Sequence, residues 1–70
     1  MITQVMLYLD PSITMKQAEC LADAIDDAAE CYAACAKQLE GEDQRHILID
    51  WDADVAIDAL CDAIKEVFKR

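Results

Sequence analysis

The apolar positions of this chain follow two different periods. Over residues 4–9, Val5, Leu7 and Leu9 fall on one side and Met6 and Tyr8 on the other, the period of two that defines a strand. Asp10-Pro11-Ser12 ends that run. The period then lengthens to three and four: Ala18, Leu21, Ala22, Ile25, Ala28, Ala29, Tyr32, Cys35, Ala36 and Leu39 form the stripe of an amphipathic helix. Thr14-x-x-Gln17 has the form of a capping box, with Ser12 a competing cap. Gly41 is the stop signal. A single rod over this stretch would be roughly 26 residues and about 40 Å long. That is long for so short a chain, so the helix is expected to be one rod or to kink or break near Asp26–Ala29.

A second short apolar run, His46-Ile47-Leu48-Ile49-Asp50-Trp51, reads as another strand. Asp52 or Asp50 then caps a last helix, with Asp54 in its first turn. Its buried stripe is Ile57, Leu60, Cys61, Ile64, Val67 and Phe68, and Lys65, Lys69 and Arg70 complement its C-terminal end. The expected fold is α+β in the order β-α-β-α. Two short strands pack against two or three helices in one compact domain over residues 1–70.

Composition narrows the function. A core this small supplies only a few kcal/mol of net stability, which argues against a large catalytic cleft. The single Gly excludes a glycine-rich phosphate loop. The opening apolar run lacks a basic leader and is too short to span a bilayer, so a cytoplasmic protein is expected.

Charge changes the picture most. Fifteen acids face six bases, for a net charge of −9. From Glu19 to Glu66 there are fourteen acids against Lys37, Arg45 and Lys65, and no Lys or Arg stands between His46 and Ile64. Such a field repels nucleic acid and anionic membrane and attracts basic protein surfaces. Acidity can also serve solubility alone, but here it is ordered. Asp54, Asp58, Asp62 and Glu66 recur every four residues, with Asp50 and Asp52 ahead of them, and Asp23, Asp26, Asp27 and Glu30 form a second cluster on the long helix. Like charges at this spacing destabilise a helix by about 0.2–0.5 kcal/mol per pair. Duplex DNA carries a charge about every 1.7 Å of its axis, which two helices bearing rows of carboxylates imitate coarsely. These ten acids are the candidate partner-binding residues.

Other chemistry is less well supported. Cys20, Cys31, Cys35 and Cys61 include no C-x-x-C, and His46 is the only His, so zinc is not indicated. The cysteines read as small core residues. The rival is a soft-metal module, in which Cys31 and Cys35, one turn apart on a helix and assisted by Cys20, hold Cu(I). Asp50-x-Asp52-x-Asp54 opens like a calcium loop, but Val55 and Cys61 stand where the Gly and the bidentate Glu belong. His46 has no nearby nucleophile and reads as a surface or edge residue. Trp51 reads as core. A further alternative is a small regulatory subunit that pairs through its Ala stripe. No enzyme activity, metal or cofactor is expected.

In size, acidity, α+β pattern and the stretch Asp50-Trp51-Asp52-Ala53-Asp54 leading to Asp58 and Asp62, the chain resembles the small acidic anti-CRISPR proteins of phages and mobile elements. Those it resembles act on type I effector complexes, including type I-C, by imitating DNA at the site that reads the protospacer-adjacent motif. The resemblance rests on no fixed motif. It implies a monomeric, non-enzymatic inhibitor in the cytoplasm of a bacterial host, with a basic DNA-binding protein surface as partner and neither nucleic acid nor membrane bound directly.

Overall fold

In a computed structural model of the protein, which describes residues 1–69, strand β1 (Ile2–Tyr8) is followed by helix α1 (Met15–Ala29), strands β2 (Ala33–Gln38) and β3 (Arg45–Asp52), and helix α2 (Ile57–Phe68). The fold is α+β, with the order β-α-β-β-α. The three strands form one antiparallel sheet in the order β1-β3-β2. β3, last in sequence, is therefore central and hydrogen-bonded on both sides.

Alternation along β3 sorts the molecule into an inside and an outside. Ile47, Ile49 and Trp51 are buried and meet Ala18, Ala22 and Ile25 of α1 and Leu60 and Val67 of α2 in one core. α1 thus lies against β2 and β3 on one face of the sheet, and α2 packs on α1 and closes the same core. The residues between them, His46, Leu48, Asp50 and Asp52, point to the other face, which no helix covers. β1 behaves as its pattern predicts. Val5 and Leu7 are half-buried on the core side, whereas Met6 and Tyr8 are exposed on the open side. The indole of Trp51 is in the core, and its Nε1 donates to the Val55 carbonyl oxygen at 3.1 Å.

Helix α1 begins where its capping box places it. Gln17 N–H donates to Thr14 Oγ1 (3.2 Å), and Thr14 N–H donates to Gln17 Oε1 (2.9 Å). The helix does not continue to Gly41. It ends at Ala29, and Glu30 adopts a left-handed conformation with φ 52° and ψ 38°. The stretch read as the second half of a long helix is instead β2. Its alanines have high helix propensity, but Tyr32 N–H bonds to Asp50 O and residues 33–38 pair with β3. Tertiary pairing overrides propensity here. The small Ala34 and Ala36 also let α1 pass close above the strand. Gly41 belongs to the β2–β3 turn. Its φ of 82° lies third in the turn closed by Glu42 N–H to Leu39 O, a place that favours glycine.

His46 is not an edge residue. It stands on the central strand and is 3% exposed, covered by the Tyr8 ring with centroids 5.9 Å apart. The stripe of α2 is narrower than its sequence pattern implies. Leu60 and Val67 are buried and Ile64 partly so, but Ile57, Cys61 and Phe68 are exposed. The helix rests on α1 along one line of contact, and residues flanking that line reach solvent. Neither Asp50 nor Asp52 caps α2. The N-cap position is Ala56, which makes no side-chain cap bond. Arg70 lies outside the described residues.

Half-buried and exposed polar groups fasten the loops. Gln44 Nε2 donates to Leu9 O at 2.9 Å, and Arg45 Nη1 donates to the carbonyl oxygens of Ile13 and Asp43 at 3.0 Å. Asp10 accepts from Ser12 N–H, which holds its carboxyl below the usual carboxylate range.

A left-handed C-cap favours glycine over a side-chain-bearing residue. Glu30→Gly is therefore expected to raise stability by about 0.5–1 kcal/mol, read as a higher urea midpoint with unchanged slope. A lower midpoint would contradict this account of the helix end.

Candidate partner-binding surface

The acids of the two helices are placed by the same local rule. In Asp23-Ala24-Ile25-Asp26-Asp27 and in Asp58-Ala59-Leu60-Cys61-Asp62, a fully buried aliphatic residue has an aspartate two positions to either side. At about 100° per residue those aspartates lie roughly 160° from the buried one, on the back of the helix. Asp23, Asp27, Asp58 and Asp62 are accordingly exposed, as are Asp26, Glu30 and Glu66. Because α1 packs on β2 and β3 and α2 packs on α1, these seven residues share the outer side of the helix layer.

The remaining three sequence-identified acids are placed differently. Asp54 is exposed in the turn ahead of α2, not within it. Asp52 accepts from Asp54 N–H at 2.9 Å and shapes that turn. Asp50, on β3, faces the open side of the sheet. The ladder thus holds on α2 for Asp58, Asp62 and Glu66, with Asp54 just beyond the helix start. Asp50 belongs to the opposite face of the molecule. At the far end of α1, Glu30 and Asp52 line one shallow depression with Tyr32 and Val55, so the helix row and the end of the sheet meet there.

These acids are not arranged for stability. Among the described residues one ion pair forms, between Glu66 and Lys69 at 3.7 Å, and it is exposed. Arg45 directs its Nη1 to backbone carbonyls, and its buried Nε has no partner among the described residues. Asp26, Asp27 and Glu30 crowd the C-terminal end of α1, whose last turn has no basic residue. That is the negative end of the helix dipole, where carboxylates are unfavourable. The two-layer body is only 15 Å across in its thinnest direction, so the helix layer is a large share of its surface.

The cysteines do not form the core set that their spacing indicates. Cys20, Cys35 and Cys61 are exposed, and Cys31 is partly buried. With residues 33–38 in a strand, Cys31 and Cys35 are no longer one helical turn apart. Cys31 lies in the α1–β2 connection, Cys35 on the open sheet face and Cys20 on α1. The geometric premise of a shared soft-metal site is gone. Among the described residues no three His, Cys, Asp or Glu side chains converge as a metal site. The Ala stripe is consumed internally, since Ala18 and Ala22 are buried in the core. A groove of about 650 Å³ between the helices is lined by Ile13, Leu21, Ala24, Val67 and Phe68, with Lys16, Gln17 and Cys20 also on its wall.

Comparison of the chain with protein-family models, curated proteins and solved structures finds no match. Among the described residues, no helix is long and apolar enough to cross a membrane.

The Cys31 thiol has a distinctive environment. Partial burial, followed by its hydrogen bond to Asp26 Oδ1 (3.3 Å), pushes it from the ordinary 9.0 up to about 11. A thiol that ionises later in the folded than in the unfolded state costs stability as pH rises from about 9 towards 11. With a disulfide reagent near pH 8, three thiols are expected to react quickly and Cys31 slowly. Asp26→Asn should speed the slow phase. Four equal rates in the native protein would contradict this placement.

Proposed function

We propose that the protein is a non-enzymatic inhibitor whose acidic helix layer docks on a basic nucleic-acid-binding surface of a protein target and blocks DNA binding. The observation that carries this reading is the disposition of Asp23, Asp26, Asp27, Glu30, Asp58, Asp62 and Glu66. They are exposed on one layer, almost without cationic partners, and some sit where the helix dipole opposes them. Asp58 is favoured in the first turn of α2 and Glu66 pairs with Lys69, but the scaffold gains nothing from crowding Asp26, Asp27 and Glu30 at the end of α1, whereas a surface lined with Arg and Lys does. Asp54 extends the row beyond the start of α2. The resemblance to anti-CRISPR proteins of the DNA-mimic kind gives the target a concrete form: the motif-reading site of a type I effector complex, with type I-C the first to test.

The test is a mobility-shift assay in which a type I-C effector complex binds a duplex containing its protospacer-adjacent motif. The protein is expected to block binding in proportion to its concentration. Inhibition should fall steeply as salt rises, because exposed charge pairs are screened over about 8–10 Å. Replacing Asp54, Asp58 and Asp62 together by Asn should abolish inhibition and leave the urea midpoint unchanged or slightly raised. Full inhibition by the triple variant would sink the proposal.

A further inference from the structure

The open sheet face has a pattern that the acidic helix layer does not explain. Strand register arranges it in rows. The middle row is Met6, Leu48 and Cys35, and it is apolar. One step towards one end lies Asp50, flanked by Gln4 and Ala33. One step towards the other lies His46, flanked by Tyr8 and Lys37. The face is therefore apolar at its centre and acidic at one end, and at the other its exposed charge is Lys37 alone, because His46 is buried beneath the Tyr8 ring. Met6 and Tyr8, among the largest exposed apolar side chains of the protein, belong to it.

We infer that this face pairs with the same face of a second copy, about a two-fold axis running across the strands through the middle row. Closed symmetric pairing requires one patch to complement itself. Two in-plane axes are possible, and charge selects between them. An axis along the strands would lay Asp50 on Asp50. The axis across the strands reverses the rows. Met6, Leu48 and Cys35 then meet their own counterparts, and Asp50 of one copy lies over the row of the other that carries the exposed Lys37, one strand away from that lysine. The same operation turns both helix layers outward, so Asp23, Asp26, Asp27, Glu30, Asp58, Asp62 and Glu66 point away from the contact.

The contact is small. Three strands about 4.8 Å apart and rows spanning about 14 Å fall short of the roughly 800 Å² per partner of a standard interface. Pairing is thus a concentration-dependent equilibrium, expected in the range of about 10–1,000 μM, and the expected monomer is the dilute form.

Sedimentation equilibrium of the full chain over that range tests it, with circular dichroism confirming the fold of each variant. The wild type should shift from monomer to dimer as concentration rises. Met6→Asp, at an exposed position on the axis, should remain monomeric. Lys37→Asp and Asp50→Lys should each weaken pairing at least about fivefold, and the two together should restore it to within about twofold. A wild type that stays monomeric throughout, a dimer indifferent to Met6→Asp, or a double exchange that does not recover would each overturn the inference.

Discussion

The structure depends on one constraint: β3 is hydrogen-bonded along both edges and must bury every second side chain. Once Ile47, Ile49 and Trp51 point into the core, both helices are committed to that side of the sheet. Register then leaves no choice for His46, Leu48, Asp50 and Asp52, because a one-residue slip would exchange the two sets. The core is thin, with Ile25, Ile47, Ile49 and Leu60 as its largest fully buried side chains. Substituting any of these by Ala would remove a large share of what holds the two layers together. The sorting also divides the acids, placing the helix rows on one outer surface and Asp50 on the other.

Much of this was legible in the residues. The α1 start was readable because Thr14 and Gln17 satisfy each other's backbone N–H groups, an interaction local in sequence. The two faces of β1 were readable because alternation is a direct imprint of burial. β2 was not. Ala33, Ala34 and Ala36 favour helix locally, and what makes them a strand is pairing with β3, a partner that follows later in the chain. That one misreading carried others with it, because placing Cys31 and Cys35 on one helix face created a metal geometry that does not exist. The length of the stretch pointed to a break near Asp26–Ala29, and α1 does end at Ala29, but the left-handed turn at Glu30 carried no residue signal, since glycine or asparagine is the usual residue there. The burial of His46 followed from the central place of β3, which sequence order conceals.

The acidic rows were legible as spacing but not as surface. Spacing showed that Asp58, Asp62 and Glu66 recur along α2. Only the fold brings them to the same layer as Asp23 and Asp27 and sets Asp50 apart. The repeated arrangement of aspartates around a buried Ile25 or Leu60 is the sequence signal that foretells this, and it is shared by both helices. It also explains how the chain tolerates such charge. Each aspartate is held far from the apolar contact line, where its effect on the core is small and its exposure to a partner is complete.

The central claim is that this layer competes with DNA for a cationic groove. The most direct measurement immobilises the protein, loads lysate of a host bacterium at low salt after nuclease treatment, and elutes with an excess of duplex DNA. The account predicts that DNA-binding proteins are retained, released by duplex DNA and by high salt, and not retained by the variant lacking Asp54, Asp58 and Asp62. Retained proteins that resist both duplex DNA and salt, or that bind the variant equally well, would contradict it.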